Sequence, residues 1–130
     1  MGRNYSFCIE VVHGRKLGRS INAPTINQPL PQGLLLPHFG VYASFARVGG
    51  TWYPAVTNIG VKPTVTNVNI ATAETCIIGL TQNLYGKRVE VAPVQFIREE
   101  VKFANVTELK TAIENDLKNA AEICAGIKDF

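Results

Sequence analysis

Short hydrophobic segments of high β-propensity recur along the first hundred residues of the chain. They cover residues 7–12, 41–48, 51–59, 69–80 and 89–97. Gly49 and Gly50 separate two of these segments and favour a tight hairpin turn, and a second turn is expected at residues 85–87. Short antiparallel strands at near-regular spacing predict a small β-barrel or a sandwich.

The pattern changes after residue 105, where apolar positions recur at steps of three and four. These positions are Val106, Leu109, Ile113, Leu117, Ala120 and Cys124. Such a period predicts one amphipathic helix over about residues 106–125, with Asn105 and Glu108 as a capping box and Gly126 as its end. Residues 1–130 are expected to form one mainly β domain, with a barrel over about residues 5–104 followed by this helix.

Residues 21–39 contain four prolines and show no clear period, so an irregular segment is expected there. A long segment of this kind is usually either functional or disordered. The three consecutive leucines at 34–36 argue against disorder, because such an apolar run needs a surface to cover it. We interpret the segment as a flap over a ligand.

Composition and charge narrow the classes of function. The 130 residues carry 13 Lys and Arg against 10 Asp and Glu, and the net charge of +3 is scattered along the chain. This argues against a nucleic-acid partner and suits a small anionic ligand such as a nucleotide. The three cysteines are far apart and lack metal-ligand spacing, which indicates reduced thiols in a cytoplasmic protein. No apolar run approaches the roughly 20 residues of a membrane helix.

Charged residues are missing from two long stretches of the sequence. Residues 20–46 contain none, and residues 63–86 contain one, Glu74. A lone carboxylate in an apolar strand is costly to bury unless it is paired or lies in a cleft. Two interpretations stay open from the residues alone: Glu74 faces solvent on an edge strand, or it acts as a general base or ion partner at a site.

Two short segments have the chemistry of a nucleotide site. Residues 14–19 are basic and contain glycine, which suits phosphate contact but also an ordinary turn, and their spacing is not that of a Walker A loop. Thr25 and Asn27 place a hydroxyl and an amide carbonyl on one face if residues 25–27 are extended. Such hard oxygen donors are acceptable to Mg²⁺, although Thr and Asn also satisfy turn backbone groups.

Together with other short motifs, these segments resemble riboflavin kinase. The matching motifs are Gly14-x-x-x-Gly18-Arg19, Pro24-Thr25-x-Asn27, Gly40-Val41-Tyr42, Asn58-Ile59-Gly60-x-x-Pro63-Thr64, Glu74-Thr75, Leu84-Tyr85-Gly86-Lys87 and Ile97-Arg98-x-Glu100-x-Lys102-Phe103. The resemblance extends over about residues 11–120. It implies a six-stranded antiparallel Greek-key β-barrel with a C-terminal α-helix. It also implies an enzyme that transfers phosphate from ATP to the 5′-hydroxyl of riboflavin, which gives FMN and ADP.

The resemblance further implies roles for individual residues. Thr25 and Asn27 would hold Mg²⁺ with ATP. Glu74 would serve as the catalytic base on the riboflavin hydroxyl, and Arg98 would lie near the flavin. The residues expected at the nucleotide phosphates are Gly14, Lys16, Gly18 and Arg19.

Some positions depart from the common pattern of that family. Ile26 replaces the usual Ala and should face away from the metal, whereas Asn22 and Ala23 replace a Gly and a large apolar residue in the expected flap. In many bacteria the kinase module is one half of a bifunctional riboflavin kinase/FAD synthetase, so an adenylyltransferase domain in a longer parent chain is an open alternative. The rival function is a non-catalytic flavin-binding sensor on the same barrel, which would need neither the metal pair nor the base.

Overall fold

Six antiparallel strands and one helix form the part of the chain that the computed structural model describes, residues 5–12, 25–31, 38–63 and 69–127. The elements are β1 (Phe7–Glu10), β2 (Ile26–Pro29), β3 (Gly40–Val48), β4 (Thr51–Pro63), β5 (Asn69–Ile77), β6 (Arg88–Arg98) and α1 (Val106–Ala125). The strands hydrogen-bond in the order β1-β6-β3-β4-β5-β2. Because β6 returns beside β3, strands β3 to β6 have Greek-key order. The predicted fold class is confirmed.

The two edge strands of the sheet meet and nearly close it into a barrel. Val12 forms a bridge with Asn27, in which the Val12 amide donates to the Asn27 carbonyl at 2.8 Å. The buried Gln28 adds two more links, because its Nε2 donates to the carbonyls of Ile9 and Val89, both at 2.8 Å. Closure pairs backbone groups that an open sheet would leave exposed at its edges.

Side chains alternate between the interior of the barrel and its outer face, because successive residues of a strand point in opposite directions. Among the described residues, the interior core is formed by Phe7, Val11, Leu30, Tyr42, Ala46, Ala55, Ile59, Ala73, Ile77, Leu84, Val89 and Val91. A second cluster lies on the outer face, where Val41, Ala43 and Val56 pack against Ala120 of α1. The helix therefore covers part of the outer face with its second half.

The predicted helix and hairpin are both present. The Asn105 side chain caps α1 by accepting a hydrogen bond from the Glu108 amide at 2.9 Å, and Gly126 follows the last helical residue. Gly49 and Gly50 have φ of 59° and 84° between β3 and β4, as a type I′ turn requires. Within the described ranges, no helix is long and apolar enough to cross a membrane.

Two expected segments differ from the structure. Strand β5 ends at Ile77 rather than at Leu80, because Gly79 turns the chain with φ of 85°. The segment 21–39 was expected to be irregular, which is wrong for Ile26–Pro29, since this stretch pairs with β5 as strand β2. Residues 21–24 and 32–37, on which the flap interpretation depends, lie outside the described residues.

Candidate functional site

One row of residues crosses five strands on the outer face of the sheet. Asn27 of β2 lies opposite Glu74 of β5, and Glu74 lies opposite Asn58 of β4. The row continues from Asn58 to Val41 of β3 and from Val41 to Arg98 of β6. Residues directly opposite in antiparallel strands share a face, with Cβ atoms about 4.5–5.5 Å apart. The row therefore aligns two amides, a carboxylate and a guanidinium.

A cavity of about 600 Å³ lies between this row and the first half of α1. On the sheet side it is lined by Thr25, Val41, Val56, Asn58, Glu74, Cys76 and Arg98. On the other side it is lined by Glu100, Val101, Lys102, Phe103, Asn105, Val106, Leu109, Ile113 and Asp116. A cavity of this size, with apolar walls and a few polar groups, is typical of a small-molecule site.

Thr25 and Asn27 lie at the start of β2, next to Glu74 of β5. Thr25 precedes β2, and its Oγ1 donates to Oε2 of Glu74 at 3.1 Å. Ile26 packs against the interior core, so Thr25 and Asn27 share the outer face, as expected from an extended backbone. The half-buried Glu74 does not lie on an edge strand, because β5 is paired on both sides. Asn27 faces Glu74 in the register but is not one of the residues that line the cavity.

The donor set at this end of the row consists of hard oxygens. It comprises the Thr25 hydroxyl, the Asn27 amide carbonyl and the Glu74 carboxylate. The described part of the chain has no group of three His, Cys, Asp or Glu side chains that would hold a metal by themselves. The residues therefore fit a cation such as Mg²⁺, which draws most of its ligands from bound phosphates and water.

Arg98 lies at the other end of the row and is bound to the helix. Its Nε and Nη2 donate to Oδ1 and Oδ2 of Asp116 at 3.0 Å and 2.8 Å, and its Nη1 donates to the Glu99 carbonyl at 3.1 Å. The guanidinium carbon lies 5.7 Å from the centre of the Phe103 ring. A bidentate pair of this kind fixes the plane of the guanidinium.

Sequence reasoning missed Asp116 as a site residue, although a signal was present. Asp116 is the first of three buried residues on α1, followed at four-residue steps by Ala120 and Cys124. A carboxylate on the buried stripe of a helix needs a cationic partner. The sequence does not show which cationic side chain the fold brings next to Asp116.

Asn58 and Glu100 form a second polar contact on the cavity wall that had no predicted role. Asn58 Nδ2 donates to Glu100 Oε2 at 3.3 Å. Gly60 makes room for this carboxylate, because a Cβ at residue 60 would lie 2.9 Å from Glu100 Oε1. Both contacts join β4 to the segment that follows β6, so they were not visible from local sequence.

Cys76 lies two residues after Glu74 on the same face of β5 and lines the cavity. Burial raises the pKa of the Cys76 thiol above its ordinary value. The thiol is therefore uncharged at neutral pH and forms part of the apolar wall rather than acting as a nucleophile.

The residues predicted to contact nucleotide phosphates belong to a segment outside the described ranges. Gly14, Lys16, Gly18 and Arg19 all lie outside the described residues. Their role stays a prediction. Of the predicted site residues that are described, Thr25, Asn27 and Glu74 lie together at one end of the row, and Arg98 lies at the other.

Comparison with known proteins gives consistent family matches. The Flavokinase family model, described as riboflavin kinase, matches residues 1–124. The chain is 37% identical over 125 residues to the bifunctional riboflavin kinase/FMN adenylyltransferase of Pseudomonas fluorescens. The match covers 96% of this chain and 40% of that protein. It is 34% identical over 130 residues to the protein of the same name from Bacillus subtilis, covering 98% of this chain and 41% of the relative. The chain thus spans about two-fifths of the length of these curated relatives.

A solved structure also matches. A crystal structure described as a macrolide-efflux protein from Streptococcus pneumoniae has a TM-score of 0.84 and 29% sequence identity to this chain. The match covers 92% of this chain but 39% of the other. The two chains therefore share the barrel-and-helix fold over nearly all of the present sequence.

Proposed function

Because the chain belongs to the riboflavin kinase family, we propose that it transfers the γ-phosphoryl group of ATP to the 5′-hydroxyl of riboflavin, which yields FMN and ADP. The observation that carries the proposal is the contact between Thr25 Oγ1 and Glu74 Oε2 at the edge of the cavity. It joins a base to a hard oxygen donor, as a metal-assisted phosphoryl transfer needs. A flavin sensor would have no use for this pair, so that alternative is not favoured.

In phosphoryl transfer the protein mainly positions the reactants and neutralises charge. When bound, Mg²⁺ would supply the charge that offsets the ATP phosphates. Thr25 and Asn27 would hold it through the hydroxyl and the amide carbonyl. A hydroxyl has one hydrogen and two lone pairs, so Thr25 can face a cation while it still donates to Glu74. This contact would also orient the carboxylate.

Glu74 would act as the general base of the reaction. As the bond between the 5′-oxygen and the γ-phosphorus forms and the bond from that phosphorus to the β-γ bridging oxygen breaks, the hydroxyl proton passes to the Glu74 carboxylate. General-base assistance of this kind typically contributes about 10²–10⁴-fold to the rate. The position of Glu74 opposite Asn27 supports this role, because Asn27 is one of the two residues that would hold the metal.

The two substrates would lie at opposite ends of the row. Residues Gly14, Lys16, Gly18 and Arg19 are proposed to contact the phosphates of ATP from the segment after β1. Arg98 is proposed to face the flavin ring, because it is separated from Glu74 by three strand spacings, about 14 Å along the sheet. The basic balance of the chain, with a net charge of +3, suits the anionic nucleotide and product.

We also propose a cellular setting and a partner for the chain. A cytoplasmic location agrees with three free cysteines in the structure. The curated relatives carry an FMN adenylyltransferase activity in their names, so such a domain in a longer parent chain is the proposed partner of this module. Neither nucleic acid nor a membrane is proposed as a partner.

The test is direct. Purified chain incubated with riboflavin, ATP and Mg²⁺ should form FMN and ADP in equal amounts, followed by chromatography with fluorescence detection. FAD should not form, even with excess ATP, because the residues that the structure describes form one barrel and one helix, and the sequence lacks the glycine fingerprint of a dinucleotide fold. Absence of FMN would refute the proposed function, and FAD formed from added FMN would refute the single-site interpretation.

A further inference from the structure

The ion pair between β6 and α1 is unusual in its burial. Asp116 is 4% exposed, yet it carries a carboxylate whose two oxygens both accept hydrogen bonds from Arg98. A buried ion pair is often no more stabilising than apolar residues of the same volume, whereas removal of one partner leaves a costly unpaired charge. Packing alone therefore does not account for a charged pair on the buried stripe of α1.

The pair connects three parts of the cavity wall. Through Nη1 of Arg98 it holds the carbonyl of Glu99, at the start of the segment that leads to α1. The same guanidinium lies against the ring of Phe103 near the end of that segment. Arg98, Phe103 and Asp116 all line the cavity. One interaction thus determines both the orientation of the guanidinium and the shape of the adjoining wall.

The hydrogen bonds made by Arg98 leave some of its N–H donors available to a ligand. An arginine side chain has five N–H donors, and three are used by Asp116 and Glu99, so one remains on Nη1 and one on Nη2. Because the bidentate pair fixes the guanidinium plane, these two donors have a fixed direction. A fixed planar donor pair suits a planar ligand with ring carbonyl or ring nitrogen acceptors.

We propose that Asp116 is a positioning residue that orients Arg98 for the ring of the acceptor substrate and so determines the affinity for riboflavin rather than the rate of phosphoryl transfer. This inference rests on the proposed function, since it takes the acceptor to be a flavin. Asp116 acts through Arg98, which lies about 14 Å along the sheet from Glu74. The effect on the reacting atoms is therefore indirect.

The experiment compares Asp116→Asn with the parent chain. The amide keeps the shape of the side chain but replaces one acceptor with a donor, so the bidentate pair is lost. The riboflavin Kd is measured by quenching of flavin fluorescence, and KM for both substrates and kcat are measured from FMN formation. The riboflavin Kd and KM should rise about 10- to 100-fold. The KM for ATP and the kcat at saturation should stay within about threefold of the parent values. This is the result expected when the lost interaction stabilises the bound substrate and the transition state equally.

A coupling test separates positioning from an independent role. If Asp116 acts through Arg98, then Asp116→Asn in an Arg98→Ala background should change the riboflavin Kd by less than about twofold, whereas independent effects would multiply. Arg98→Lys keeps the charge but loses the planar set of guanidinium donors, so it should weaken riboflavin binding as Asp116→Asn does. This variant also serves if Asp116→Asn fails to fold.

The matched control is Cys124→Ala, on the same buried stripe of α1 two turns away. Its Sγ donates to the Ser44 carbonyl at 3.3 Å, outside the cavity. This variant should lower Tm without changing the riboflavin Kd.

An equal loss of riboflavin affinity in the control, or an unchanged Kd in Asp116→Asn, would overturn the inference. If the parent binds riboflavin but makes no FMN, the proposed function fails while the binding comparison still decides the role of Asp116; if the parent binds no riboflavin, both fail.

Discussion

The two faces of strand β5 show how one stretch of backbone serves both the core and the site. Ala73, Thr75 and Ile77 point into the barrel and are buried, whereas Glu74 and Cys76 point outward and are half-buried beside the cavity. Because the side-chain period is two, a slip of one residue in the pairing would exchange these sets. The dense interior therefore specifies the register that brings Glu74 to Asn27 and Asn58.

Both faces contain polar side chains, so polarity alone does not identify the site. On the inner face the Thr57 and Thr75 hydroxyls bond each other at 3.0 Å and are fully buried. On the outer face Thr25 and Glu74 bond each other at 3.1 Å but border a cavity. The difference comes from α1, whose second half packs on the sheet while its first half stands away from it. Polar pairs enclosed by the barrel are structural, and polar pairs under the open half of the helix are available to a ligand.

The largest expected effect is on the outer face of β5. Glu74→Gln keeps the shape of the side chain and leaves a carbonyl that can accept from Thr25, but it removes the carboxylate that is proposed as the base. We expect kcat to fall about 10²–10⁴-fold with little change in stability. Steady-state FMN formation and thermal unfolding measure the two quantities.

The matched control for this variant is Glu90→Gln on β6, a carboxylate that bonds Ser6 at 2.9 Å and does not line the cavity. Its turnover should equal that of the parent. A Glu74→Gln variant that retains near-full kcat would exclude Glu74 as the base and would make the two faces of β5 equivalent in function.

A smaller effect is expected at the start of β2. If Thr25 and Asn27 hold Mg-ATP, then Thr25→Ala or Asn27→Ala should weaken nucleotide binding about 10- to 100-fold when Mg²⁺ is present. In EDTA the variants and the parent should bind ATP equally poorly, because the lost interaction is with the cation. Titration calorimetry in both conditions measures this difference.

Thr72→Ala is the control for these variants, since Thr72 pairs with Pro29 on the same two strands away from the cavity lining. It should leave Mg-dependent binding unchanged. An equal loss of affinity with and without Mg²⁺ at Thr25 would instead indicate that the residue supports the backbone before β2.

Local signals in the sequence were sufficient for much of the fold. The glycine pair at residues 49–50 and the cap at Asn105 mark their elements within a few residues, so both were predicted correctly. Strand β2 was not, because four residues among prolines have no readable period and owe their extended shape to pairing with β5. The family motifs supplied the candidate residues of the site. The row from Asn27 to Arg98 and the partner of Asp116 depend on register between distant strands and on helix docking, which no local pattern contains.

The smallest effect on activity is expected inside the barrel, where the Thr57 and Thr75 hydroxyls have each other as partners. Replacing one threonine with valine exchanges its hydroxyl for a methyl group of nearly the same shape. The hydroxyl of the remaining threonine is then buried without that partner, which should cost about 1–3 kcal/mol of unfolding free energy. Replacing both removes the need for a partner, so the double variant should be close to the parent in stability. Urea unfolding of the parent, the two single variants and the double variant gives the coupling free energy between the hydroxyls. FMN formation should stay at the parent level in all three variants. Additive destabilisation would show that the hydroxyls contribute independently, for example through backbone contacts. A loss of kcat at unchanged stability would be the more serious result, because it would mean that the inner face of β5 takes part in the chemistry and that the division between the two faces does not hold.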